Sequence, residues 1–220
     1  MTIQQLLVHE LPMLRLSDTV QHALQCMHEF RVQHLPVVDR NDYVALVNED
    51  DLLDFDDEEK PLGQTPCLQV RPMVHEEAHP LQAVRIMKES QLSVLPVCND
   101  GGALLGVLTR ERLFDYLANH QAFQRDGAVV VLNMDPRHYS VAELARICES
   151  NNLQLLFLYQ QELFETGHLL ITFCVNKRDV QALLATLERF NYTVEGVWAN
   201  AENTNDVQDN YNALMHYLSM

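Results

Sequence analysis

Leu35-Pro36-Val37-Val38-Asp39 returns sixty residues later as Leu95-Pro96-Val97-Cys98-Asn99. The same step carries Pro12-Met13 onto Pro72-Met73, Ala23 onto Ala83 and Met27 onto Met87. Each phrase is an apolar run of strand length. A second such run follows it, Tyr43 to Val47 in the first case and Leu104 to Leu108 in the second, and then a polar step into a helix. A unit of this size that occurs twice predicts a pseudo-symmetric pair, not a stacked array.

Outward from the phrase, each copy reads as strand, helix, two strands, helix. Ile3, Leu6 and Leu7 predict a short lead-in helix. Ser17-Asp18 is placed to cap a helix whose buried stripe is Val20, Ala23, Leu24 and Met27. Asn48 to Leu52 turns into the next helix. In the second copy Pro80 suits a first helical turn, where its missing N–H costs nothing, and the stripe is Ala83, Val84 and Met87. Between the copies, Asp54 to Glu59 is a dense acidic run. It reads as a solvated linker, and it lacks the spaced ligands and glycine of a dedicated calcium loop. His75-Glu76-Glu77-Ala78-His79 matches the zinc-protease pattern H-E-x-x-H. That chemistry needs both histidines on one helical face, but Pro80 disfavours a helical His79, so no zinc site is expected.

A length of 220 residues suits two domains. No apolar run approaches the roughly 18 residues of a membrane span, and the first residues lack the pattern of a signal peptide. The five cysteines are scattered and never form C-x-x-C, which suits reduced thiols and a cytoplasmic location. The formal net charge is −16. Residues 1–120 hold nine Lys/Arg against nineteen Asp/Glu, leaving −10 there. With no basic face to displace phosphate counterions, nucleic acid is not expected as a partner.

After Arg125-Asp126-Gly127 the pattern changes. Ala128–Leu132, Leu153–Tyr159, His168–Val175 and Tyr192–Trp198 read as strands. Ser140–Ser150 and Arg178–Phe190 read as helices, the first with a Ser140/Glu143 capping box. The order β-α-β-β-α-β is ferredoxin-like. Tyr211, Leu214, Met215 and Leu218 then fall at i, i+3, i+4 and i+7, one helical face. This stripe is expected to pack on the body or on a second subunit and not on a membrane, because cationic residues are absent.

The h-P-V-h-D phrase, the following strand and the polar step resemble a tandem CBS-domain pair, or Bateman module, and the last unit is similar to an ACT domain. The resemblance implies an α+β chain with CBS repeats at 1–60 and 61–122, an ACT-like domain at 126–199 and a tail at 200–220. This layout resembles that of bacterial AcuB-like proteins. In CBS pairs the step G-h-h-[ST]-x-x-D commonly meets an adenosine ligand, its hydroxyl facing phosphate and its Asp the ribose. Here the first copy reads Ala45 to Asp51, with Asn48 at the hydroxyl position and Asp51 kept. The second reads Gly106 to Arg112, with Thr109 kept and Arg112 at the Asp position. Asp51 and Thr109 could equally cap their helices. The resemblance therefore implies ligand-binding residues Asn48, Asp51, Thr109 and Arg112, with Leu35, Pro36, Val37, Leu95, Pro96 and Val97 mainly core and partly pocket wall.

The turn Asn133 to Ser140 has the Asp but not the glycine of the ACT D-x-x-G ligand turn, which favours a structural or pairing role. The reading that follows is a non-catalytic regulatory sensor, since no phosphate-cradling glycine loop or nucleophile–base set is present. Its ligand would be AMP, ADP, ATP or S-adenosylmethionine, with AMP favoured over ATP in so acidic a half. Its partners would be a second copy in a homodimer and an unidentified client protein. The alternative is a ligand-free dimerisation scaffold with degenerate sites.

Overall fold

The computed structural model describes residues 2–119 and 126–199, and the chain divides into two compact units at Ala118/Asn119. Together they make an α+β protein of two repeated units and a C-terminal antiparallel sheet. The predicted amphipathic tail lies outside the described residues.

In the first unit, repeat one runs β1 (Leu14–Arg15), α1 (Val20–Phe30), β2 (His34–Asp39), β3 (Asp42–Asn48) and α2 (Glu49–Leu53). Repeat two runs β4 (Val74–His75), α3 (Pro80–Glu89), β5 (Val94–Cys98), β6 (Leu104–Thr109) and α4 (Arg110–Ala118). Each makes a three-stranded sheet whose middle strand is the repeated phrase, parallel to the first strand and antiparallel to the third. The step persists in the register: Leu14 pairs with Val37 and Val74 with Val97. It persists also in an irregularity after Val37 and after Val97, and in left-handed residues Arg31 and Gln91 beyond the helices.

Helix caps differ in detail from the sequence reading. Thr19, not Ser17 or Asp18, caps α1 by accepting from His22 N–H at 3.2 Å. Asp18 instead accepts from Arg15 N–H at 2.7 Å, which tightens the loop before the helix. His75 lies in β4 with Nε2 2.9 Å from the Asp100 carboxylate, while His79 caps α3 through Nδ1. The two histidines therefore never share a helical face.

The repeats exchange their lead-in turns. The 3₁₀ turn Ile3–Leu6 donates from Ile3 N–H to Ala78 C=O and from Gln4 N–H to Glu76 C=O, in repeat two. The turn Leu62–Gln64 does the same to repeat one, from Leu62 N–H to Asp18 C=O and from Gly63 N–H to Leu16 C=O. The acidic run is thereby tied down by its backbone. Glu58 and Lys60 carbonyls accept from Gln21 and Val20 at the start of α1, while the carboxylates stay in water. Each repeat thus completes the other's core: Ile3 and Leu6 join the cluster of Leu95 and Val97, and Leu62 joins that of Leu35 and Val37. Ile3 is wholly buried, so Ile3→Ala is expected to cost about 2–5 kcal/mol. Hydrogen exchange should show the loss first at residues 75–80, whereas Leu62→Ala should loosen residues 15–19.

The second unit runs β7 (Ala128–Met134), α5 (Val141–Ser150), β8 (Leu155–Leu163), β9 (His168–Val175), α6 (Gln181–Arg189) and β10 (Thr193–Ala199). The strand order is β10-β7-β9-β8, antiparallel throughout, which is the ferredoxin-like arrangement. Alternation along β7 sends Ala128, Val130, Leu132 and Met134 into a core with Leu144, Cys148, Leu183 and Leu187. Ser140 caps α5 as expected, but Glu143 does not close the box. Its carboxylate accepts from the Tyr192 hydroxyl at 2.8 Å, and burial with this bond pushes that phenol up to about 12.

Candidate functional site

The first unit contains a cavity of about 650 Å³ where the start of β2 and the end of β3 meet the helices of repeat two. Its position follows from pseudo-symmetry. Gln33 and Ser93 are equivalent residues just before the repeated strands. The Gln33 carbonyl accepts from Glu49 N–H at 2.9 Å, and the Ser93 carbonyl accepts from Arg110 N–H at 3.3 Å. Each bond ties a strand start to the helix that follows the polar step. The two loops also join directly, since Gln33 N–H donates to Ser93 Oγ at 3.0 Å.

One wall is apolar: Val84 and Met87 of α3, Leu113, Phe114 and Leu117 of α4. Phe114, although it lines the cavity, is 70% exposed. The opposite side is polar, with Gln33, Asn48 and Asp50, and Asn48 Oδ1 accepts from Asp50 N–H to cap α2. Two cations complete the lining, Lys88 and Arg110. Arg110 is fixed in place, with Nε and Nη2 each donating at 2.7 Å to the carbonyls of Leu92 and Gln91. These two cations line the cavity together with the Asp50 carboxylate, and Asp51 also acts on the ring of His34.

His34 forms the floor and is only 8% exposed. Its Nδ1 lies 3.0 Å from Ser93 Oγ and accepts from Ser93 N–H at 3.3 Å, so the hydrogen-bond pattern assigns the neutral ring's proton to Nε2. Burial and then Arg110 lower its pKa, and Asp50 and Asp51 oppose them. The unfolded chain therefore binds this proton more readily than the fold does, and stability must rise with pH. The contribution of His34 is complete above its ordinary pKa of about 6.5 and is lost as pH falls below it. Urea unfolding at pH 8, 7, 6 and 5 should show wild type losing ground to His34→Asn only at the acid end. Parallel curves would refute this.

The residues singled out in the sequence are dispersed. Asn48 lines the cavity. Asp51 faces a separate cleft of about 370 Å³ with Asp54, Phe55, Pro66, Cys67, Gln69 and Val70. Thr109 is nearly buried and accepts from Arg112 N–H at 3.2 Å, capping α4, while Arg112 is exposed on that helix. Leu35, Pro36, Val37, Leu95, Pro96 and Val97 are buried strand residues. Gln33, His34, Lys88 and Phe114 carry no motif signal; they are found only once the second repeat's helices are laid against the first repeat's strands.

In the second unit, a cavity of about 660 Å³ lies at the β7–α5 turn, lined by Asp135, Arg137, His138, His168 and Tyr192 among others. Asp135 is already engaged: Arg137 donates to it through Nε at 3.0 Å and Nη2 at 2.6 Å. Those hydrogen bonds hold its carboxyl well below the usual carboxylate range.

Two sixty-residue units that complete each other's cores and frame an open cavity define a paired, pseudo-symmetric module. Residues 3–58 and 69–119 match the model of the CBS domain, and this half of the chain is a tandem pair of CBS domains, which are regulatory modules. Among solved structures, the chain is similar to a CBS domain pair/ACT domain protein from Thermotoga maritima, with 26% identity and a TM-score of 0.50 over 56% of this chain and 100% of that one. It is also similar to CBSX2, solved in complex with AMP, with 27% identity and a TM-score of 0.47 over 53% of this chain and 95% of that one. A third is a protein from Vibrio cholerae assigned to acetoin utilization (AcuB), with 21% identity and a TM-score of 0.49 over 56% of this chain and 95% of that one. Among the described residues no helix is long and apolar enough to cross a membrane.

Proposed function

We propose that this is a non-catalytic cytoplasmic sensor whose CBS pair binds an adenosine nucleotide in the 650 Å³ cavity. The observation that carries the reading is the joining of three recognition elements in one space. An aromatic and aliphatic wall suits a base, Asn48 and Asp50 can accept ribose hydroxyl protons, and Lys88 with Arg110 can take phosphate. Two cations match the charge of a monophosphate. A triphosphate brings surplus negative charge into a half that carries −10 formally, so AMP is favoured over ATP.

The C-terminal unit is proposed to be ACT-like, on its strand order and on the CBS pair/ACT domain protein that the chain resembles. Engagement of Asp135 by Arg137 supports a structural or pairing role over amino-acid binding. A homodimer is part of the reading. Leu53 of α2 and Phe114 of α4 occupy equivalent positions and are 64% and 70% exposed, an apolar pair suited to a two-fold contact. A client protein would read the ligand state.

The test is calorimetry with AMP, ADP, ATP and S-adenosylmethionine, beside thermal shifts, because a ligand selective for the fold raises the melting point. Binding of AMP that is tighter than that of magnesium-free ATP is expected. Tighter ATP would refute the charge argument, and no binding at millimolar concentration would leave only the scaffold. Light scattering that found a single 25.3 kDa species would exclude the dimer.

A further inference from the structure

The histidine on the cavity floor is held by one nitrogen only. His34 Nδ1 accepts from Ser93 N–H at 3.3 Å and lies 3.0 Å from Ser93 Oγ, which itself accepts from Gln33 N–H. The proton of the neutral ring is on Nε2, and Nε2 has no hydrogen-bond partner among the described residues. The residue is nearly buried and lines the cavity, so this N–H is a donor left for whatever enters. A second proton fits the same frame. Added at Nδ1, it would donate to the second lone pair of Ser93 Oγ, and the cost is that Ser93 N–H loses its acceptor. The ring can therefore be charged without turning.

The charged groups that face the ring come from three helices. Arg110, the first residue of α4, opposes a charge on the imidazole, Asp50 and Asp51 of α2 favour it, and Lys88 of α3 lines the same cavity. Its neighbours Ser93 and Asn48, the latter its pairing partner on β3, are neutral. Burial is the largest obstacle to the charge, and Arg110 is the next. A phosphate group seated on Arg110 and Lys88 would cancel the second obstacle. Given the nucleotide reading of this cavity, on which this step rests, we propose that His34 takes up one proton from water when a nucleoside monophosphate binds, so that the cavity holds its ligand more tightly as pH falls. Linkage makes the effect reciprocal: a bound phosphate that favours the proton is favoured by the proton in the same ratio. The gain is absent well above the ordinary histidine pKa of about 6.5 and grows as pH falls through the value in the bound state.

The test is calorimetry of AMP from pH 8 to pH 5.5 on the full chain, as wild type and as His34→Asn, a neutral side chain that can still accept from Ser93 N–H. A phosphate monoester itself titrates near pH 6, so the quantity read is the ratio of the two affinities at each pH. It should move in favour of wild type by about fivefold, the lower end of common couplings between sites. A second measurement needs no variant. His34 is the one histidine that lines the cavity, among ten in the chain. Ring-proton NMR should show one histidine midpoint that AMP raises, while adenosine, which lacks the phosphate, leaves it in place. A ratio that stays flat, or midpoints that bound AMP leaves unmoved, would overturn the proposal and leave the nucleotide site standing. AMP that binds at no pH would overturn the nucleotide reading and this proposal with it.

Discussion

Replacing Arg110 by alanine is expected to lower AMP affinity by roughly 10- to 150-fold, the equivalent of a lost charged hydrogen bond of about 1.5–3 kcal/mol. Its guanidinium is held at the cavity by the Leu92 and Gln91 carbonyls, so it is oriented before the ligand arrives and loses little freedom on binding. Those bonds also steady the end of α3, and the melting point without ligand must be followed to separate the two effects. Arg110→Lys keeps the charge but not the planar fork, so it should recover the stability only in part and the affinity only in part. Lys88 is exposed, and Lys88→Ala should weaken AMP with no change in melting point. Asp51→Ala and Arg112→Ala complete the panel. If these two weaken AMP while Arg110→Ala does not, the ligand sits in the smaller cleft beside Asp51, and the assignment to the larger cavity is wrong.

The repeat was legible because its cause is covalent: two copies of one phrase, each a continuous apolar run buried on both faces of a short middle strand. The sixty-residue step therefore reappears in pairing register and in the left-handed residues Arg31 and Gln91. The exchanged lead-in turns were not legible, because Ile3 and Leu62 look like any local apolar residue, and only the tertiary structure shows that each is buried in the other repeat's cluster. The site was read in part for the same reason. A motif names residues along one strand-to-helix step, and of the polar residues it named here Asn48 lines the cavity. Lys88, Phe114 and His34 come from three elements brought together by the pseudo-two-fold arrangement, a relation that spacing within a single repeat does not encode. Thr109 shows the opposite case, a motif residue whose hydroxyl caps its own helix.

Gly127→Ala is expected to be the most damaging single-methyl change in the C-terminal unit. An added Cβ would lie 2.1 Å from the Val175 carbonyl oxygen, with the Val175 carbonyl carbon at 3.2 Å and Cys174 Sγ at 3.5 Å. The obstacle is backbone, so no rotamer change can relieve it. Val175 pairs with both Ala128 and Leu155, which leaves β9 little freedom to withdraw. Overpacking of this kind costs typically 1–3 kcal/mol, and a clash with fixed backbone belongs at the upper end. In a domain of this size that is a fall on the order of 10–20 °C in melting temperature. Emission from Trp198, whose strand pairs with β7 at Val129, gives a readout confined to this sheet. Gly101→Ala serves as the comparison, because there the nearest obstacle is the Asn99 side-chain oxygen at 3.3 Å, which can give way. A Gly127→Ala protein that melted like the Gly101→Ala protein would mean that the start of β7 can pull away from β9 at little cost, and the tight approach at Val175 would then contribute nothing to holding the sheet's central pair.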